Sequence, residues 1–135
     1  LTGLDSNTTY YVVIESTDAA GNVTTSATFS AKTAVIVDTT APVISSIAHT
    51  TGSSTSTITW LTNEPATSKV FFGTSTPLNI ATAMNSGTTT LSTSHSVTLT
   101  GLATSTAHYF KVQSTDASAN VQTSSEFAAT TTSGL

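Results

Sequence analysis

The first 33 residues, LTGLDSNTTYYVVIESTDAAGNVTTSATFSAKT, recur near the other end of the chain as residues 99–131. Laid over each other without a gap at an offset of 98, the two copies agree at 17 of 33 positions, among them Leu1/Leu99, Gly3/Gly101, Asp18/Asp116, Asn22/Asn120 and Phe29/Phe127. A period this long exceeds any solenoid unit and matches one compact sandwich domain. The chain is therefore expected to hold one full repeat, 34–131, preceded by the last third of another.

Composition limits what can fill such a domain. Ser and Thr supply 54 of the 135 residues, ten residues carry a formal charge, and Arg is absent. Thr favours strands and Ser favours turns, so solubility rests on hydroxyls more than on charge. A chain so rich in hydroxyls could be disordered. Against that, 37% of its residues are hydrophobic, they fall in alternating runs, and the net charge is only −4, enough to fill a core. Three Lys give no basic stripe for phosphates, so nucleic acid is not an expected partner. No apolar run approaches the length of a membrane span. The absence of Cys excludes disulfides and thiolate metal sites.

Each copy has the pattern of a hairpin. Tyr10, Val12 and Ile14 point one way, and Tyr11, Val13 and Glu15 the other. Asp18, Gly21 and Asn22 mark a turn, and 23–32 returns as the partner strand with Phe29 as its large apolar residue. Residues 1–33 are thus predicted to be the C-terminal hairpin of a preceding repeat. The linker 34–41 is short and β-branched, so little flexibility is expected of it. Pro42 opens the complete domain, 42–131, and 132–135 begins the next linker. Short strands are predicted near 43–50, 55–62, 68–73, 78–83, 91–100, 107–116 and 121–130. Nothing has a helical period. The fold class is all-β, a two-sheet antiparallel β-sandwich in a tandem repeat with one partial copy.

The residues resemble a family at this point. Thr57-Ile-Thr-Trp60, then Asn63-Glu-Pro-Ala-Thr-Ser-Lys-Val-Phe-Phe-Gly73, then Val97-Thr-Leu-Thr-Gly-Leu102, look like an immunoglobulin-like domain of the fibronectin type III kind. The Asp38-Thr-Thr-Ala-Pro42 lead-in and the Asp-x-x-x-Asn turn are similar to tandem repeats of bacterial and archaeal secreted or cell-surface proteins. The resemblance covers 42–131 as a whole domain and 1–33 as its last strands. It implies a fold well and a function poorly, since such domains serve as spacers, adhesive modules or appendages of secreted hydrolases. It also implies a structural tyrosine, six residues after a corner Leu, whose hydroxyl bonds back to the backbone. Tyr10 after Leu4 takes that place. The same count from Leu102 reaches His108, whose ring replaces a phenol only in part, and His108 is read as structural.

Constellations that could carry chemistry are weak, and no enzyme is expected. No Ser lies in a Gly-x-Ser-x-Gly context, and no Gly-rich phosphate loop occurs. His49, His95 and His108 lie on different strands without carboxylates at ligand spacing. Asp116 and Glu126 could face each other across the last hairpin, but the sister copy has Asp18 with Thr28, so that pair is read as incidental. Calcium is the one cofactor considered: Asp38 at the join, with Asp18, Asp116 or Glu64 from neighbouring loops, offers oxygen ligands of a kind that stiffen tandem domains. Asn7-Thr-Thr and Asn22-Val-Thr are glycosylation sequons in predicted loops, although six Asn in so hydroxyl-rich a chain give about two such tripeptides by chance. Trp60 is expected in the core with Val70, Phe72, Val97, Leu99, Phe110 and Val112. Tyr11, Phe71 and Tyr109 are expected to be scattered outward-facing rings.

Two functions fit these expectations. The first is a non-catalytic structural repeat of a large extracellular or cell-surface protein, the shaft of an adhesin, stalk or filament. Its partners would be neighbouring repeats or subunits, head to tail, and host or matrix glycans. The alternative is an accessory spacer or weak glycan-binding module of a secreted hydrolase, which an exposed aromatic platform would favour. In either case the inward face of 1–33, formed by Tyr10, Val12, Ile14 and Phe29, lacks a covering sheet, because 107–130 already fill the equivalent places. Upstream strands or another subunit are expected to cover it.

Overall fold

The computed structural model describes residues 1–134; Leu135, the end of the predicted linker 132–135, lies outside the described residues. The chain divides into two compact units, Leu1–Asp38 and Thr39–Leu135. Every regular element among the described residues is a β-strand.

The first unit is a hairpin in two segments. Strand β1 (Thr9–Val12) pairs antiparallel with β4 (Phe29–Lys32), and β2 (Glu15–Thr17) with β3 (Val23–Thr25). Between the segments the ladder is spliced by Ser26: its hydroxyl accepts the Ile14 N–H, and its own N–H donates to the Ile14 carbonyl. A side chain thus satisfies a donor that a regular ladder would have used.

The second unit contains β5 (Ile44–Thr51), β6 (Thr55–Gly73), β7 (Met84–Thr100), β8 (Ala107–Thr115), β9 (Val121–Thr123) and β10 (Phe127–Thr130). The long strands β6 and β7 each serve two layers. Residues 56–62 pair with β5 and 55–61 with 94–100 of β7, whereas 68–72 pair with 84–88 of β7 and 69–73 with 109–113 of β8. The register shifts between Leu61 and Ala66, where the ribbon passes from one layer to the other. Alternation then turns Ile58, Trp60, Val97 and Leu99 of one layer toward Val70, Phe110 and Val112 of the other. With Leu102 and Ala129 these residues form the core, and Ile44, Phe72 and Phe127 pack half-buried against it. This is an immunoglobulin-like β-sandwich.

Several expectations are corrected. The strands predicted at 55–62 and 68–73 are one continuous element, and the break expected at Asn63-Glu-Pro65 is a register shift within it. The strand predicted at 78–83 is a turn. Asn79 takes the N–H of Ala81 on its side chain and those of Thr82 and Ala83 on its carbonyl, leaving them unavailable for a ladder. The strand predicted at 121–130 is split, because Ser124 splices it to Val112 as Ser26 does to Ile14. Phe72 packs half-buried against the core as expected, but Phe71 is buried where strand parity indicates exposure. Buried Leu78 and the Lys69 ammonium, 5.5 Å from the Phe71 ring centroid, belong to the side on which Phe71 was expected to meet water. Close approach is also built into the β6–β7 ladder at Gly87, where a Cβ would lie 2.0 Å from the Ser68 carbonyl oxygen.

Candidate functional site

The most organised group of polar side chains lies inside the sandwich. Trp60, fully buried, donates its indole N–H to the buried Ser114 hydroxyl at 2.9 Å. His95 stacks on it, with ring centroids 4.9 Å apart and 12° between the planes. His95 Nε2 is 2.9 Å from Thr62 Oγ1, and Nδ1 is 2.7 Å from Ser68 Oγ. The Thr62 hydroxyl donates to the Glu64 carbonyl. Its oxygen therefore accepts from Nε2–H, and Nδ1 accepts from Ser68, which makes His95 the neutral Nε2–H tautomer. Burial disfavours the imidazolium and lowers the His95 pKa below its ordinary value. Among the described residues no buried side-chain nitrogen or oxygen lacks a partner. The arrangement fixes two rings in the core, with the Ser68 hydroxyl buried against His95. His95 shares the strand parity of Val97 and Leu99, but its partners Thr62 and Ser68 lie within and just after the register shifts of β6, where sequence spacing gives no signal.

The turns that join the last strands are the same in both units. Asp18 Oδ1 accepts the N–H groups of Ala20 and Asn22, and Oδ2 accepts the Asn22 amide. Asp116 does the same with Ser118 and Asn120. The Asn22 side chain, then its N–H, hold Asp18 below the usual carboxylate range. Burial pushes Asp116 upward, but the bonds from Asn120, Ser118 and Ala119 outweigh it and the result is again a lowered value. Of the carboxylates considered for calcium, Asp18 and Asp38 lie in the first unit and Glu64 and Asp116 in the second. Both Asp116 oxygens are committed to its own turn, and Asp38 and Glu64 make interactions of their own.

The corner residues occupy equivalent places with reversed polarity. The Tyr10 hydroxyl accepts the Asp5 N–H at 3.0 Å, whereas His108 Nε2, 3.2 Å from the carbonyl of Ala103, donates to it. His49, on β5, stacks with Phe127 at 6.0 Å, so the three histidines serve three separate contacts. Sequon residue Asn7 is exposed in a left-handed backbone conformation, and the Asn22 amide is held by Asp18. Glu126 does not pair with Asp116. Its carboxylate accepts from the Thr76 hydroxyl and the Leu78 N–H, and the Lys111 ammonium donates to the Leu78 carbonyl, so Glu126 and Lys111 brace the 74–83 turn. The Thr76 and Leu78 bonds lower the Glu126 pKa, with a smaller contribution from Lys111.

The surfaces of the two units differ. Ile14 is 55% and Phe29 47% exposed in the first unit, yet Val112, the counterpart of Ile14, is fully buried. The second unit has no exposed Phe, Tyr or Trp among its described residues; the exposed rings are Tyr11 and Phe29 of the first unit. A flat platform for sugar stacking is not formed there.

These features define the fold class of fibronectin type III domains. No protein-family model matches the chain, and no curated protein matches it. Among solved structures, the FN1-FN3 domains of chicken CNTN1 are similar over 96% of this chain, with a TM-score of 0.54 and 17% identity. The chain spans 45% of the length of that structure. A fibronectin type III domain of the human KIAA0970 protein matches 69% of this chain and 72% of its own, at a TM-score of 0.45 and 19% identity.

Proposed function

We propose that the chain is a non-catalytic structural module of a large extracellular or cell-surface protein, contributing reach and contacts between neighbouring repeats arranged head to tail as in a shaft or stalk. The observation that carries this reading is the reproduction of one hairpin at two places in the chain. The Asp/Asn turn, the Ser splice and the corner bond to residue 5 or 103 recur 98 residues apart, although nearly half of the positions differ. Duplication that preserves framework bonds and gathers no reactive side chains is what a spacer array requires. Hydroxyl-based solubility suits the outside of a cell, and no helix among the described residues is long and apolar enough to cross a membrane.

The reading is tested on source cells and on single molecules. Antibody raised against residues 1–135 is expected to label the exterior of intact cells or material shed from them. Pulling the native protein from its ends is expected to give several unfolding steps of similar length. One such step beside a catalytic domain would favour the hydrolase appendage instead.

A further inference from the structure

Each inward position of the first unit has a counterpart 98 residues on that is buried: His108 for Tyr10, Phe110 for Val12, Val112 for Ile14 and Ser114 for Ser16. In the second unit this face packs on Ile58, Trp60, Val70, Val97 and Leu99, and Ser114 takes the Trp60 N–H. In the first unit Ile14 and Ser16 are exposed and Val12 half-buried. We infer that the hairpin 9–32 closes a second copy of segment 43–98, in the register in which β8 pairs with β6 and completes the core of the second unit. This rests on the repeat reading above and names the partner it leaves open.

The register supplies an independent argument. β8 pairs with β6 through Lys69↔Gln113, Val70↔Val112, Phe71↔Lys111 and Phe72↔Phe110. Carried back by 98 residues, Val70 of the second copy meets Ile14, Phe72 meets Val12, and Lys69 stands opposite Glu15, where the second unit has an uncharged Gln. Opposite charges placed directly across an antiparallel ladder favour the pairing. The volume changes on the inward face run both ways, smaller at Val12 but larger at Tyr10 and Ile14, which is what a core of fixed total volume tolerates. Ser16 keeps the hydroxyl that an incoming indole N–H needs. Addition of paired strands to an incomplete sheet is an established mode of recognition.

The test extends the whole chain. A copy of residues 39–98 placed directly before Leu1 restores the repeat register without an added linker. Amide exchange over 9–32 is expected to slow on the order of a hundredfold or more relative to the 135-residue chain, and the added Trp to become as shielded from iodide as Trp60. Unchanged exchange over 9–32 would overturn the inference. A second variant does not depend on the added segment folding. His108→Tyr, Phe110→Val, Val112→Ile and Gln113→Glu together graft the face of the first unit onto the second. A single cooperative transition with Trp60 still shielded is expected, at a lower melting temperature; loss of cooperativity or exposure of Trp60 in the native state would also overturn it. Neither result alters cell-surface labelling or the count of unfolding steps, so this inference and the proposed function fail separately.

Discussion

Ala119 sits at φ 68° in the same turn position where the first unit has Gly21 at φ 87°. A left-handed backbone costs a residue with a Cβ about 1–2 kcal/mol, while Gly adds roughly 0.5–1 kcal/mol of unfolded-state entropy. Ala119→Gly is therefore expected to stabilise the second unit by about 0.5–1 kcal/mol, seen as a raised midpoint in urea at unchanged m-value. Ser114→Ala works in the other direction. It strands the buried Trp60 N–H, at a cost of about 1–3 kcal/mol, which the same titration would read; Trp60→Ala, leaving a cavity between the layers, is expected to cost about 3–5 kcal/mol. Much at this scale was legible beforehand. Trp60 as core, Tyr10 and His108 as corner residues and the Asp/Asn turn follow from parity, spacing and repetition. The hydroxyl partners of His95 were not, because their side chains are brought to one ring only after β6 changes layers.

Strand elements were legible where alternation is uninterrupted and misleading where side chains satisfy backbone donors. Pro65 reads as a break, yet β6 runs through it as a register shift. Residues 78–83 read as a strand, yet Asn79 folds them into a turn that Glu126 and Lys111 hold against the sheet. Glu126 is absent from the sister copy, where Thr28 stands in its place, so a pairing of Glu126 with Asp116 reads as incidental. The turn gives it a role that comparison of the two copies could not reveal, since the repeated stretches are 1–33 and 99–131 and the turn lies outside both. Glu126→Ala is expected to speed amide exchange at Leu78 by tenfold or more while leaving exchange in 107–115 within about twofold, because the braced turn opens locally without the core. Equal acceleration in both segments would show that the brace supports the whole sandwich instead.

For the whole molecule, His95 couples stability to pH. Its folded pKa lies below the ordinary value of 6.5 because burial penalises the imidazolium, so the unfolded chain takes up the proton first. Stability is complete above about pH 6.5, falls as pH drops through that value, and levels off once pH has passed the folded pKa. Asp18, Asp116 and Glu126, whose folded values are lowered from 3.8, 3.8 and 4.5, add their loss only at more acid pH. Melting followed by Trp60 fluorescence is expected to show a fall in midpoint as pH drops below about 6.5 that His95→Phe removes; a slope that persists in the variant would assign it elsewhere. The architecture of the second unit was legible as a sandwich because alternating runs separated by turn clusters admit few other solutions, and the repetition of 1–33 at 99–131 is visible in the sequence itself. The placement of the chain's three cations has one more result. A trypsin-like protease can cut only after Lys32, Lys69 or Lys111, and the last two lie inside the paired strands β6 and β8, one over an aromatic ring and one bound to a carbonyl. Cleavage after Lys69 or Lys111 must wait for unfolding, whereas Lys32 ends the exposed strand β4, so a trypsin-like protease is expected to release residues 1–32 and leave the second unit uncut.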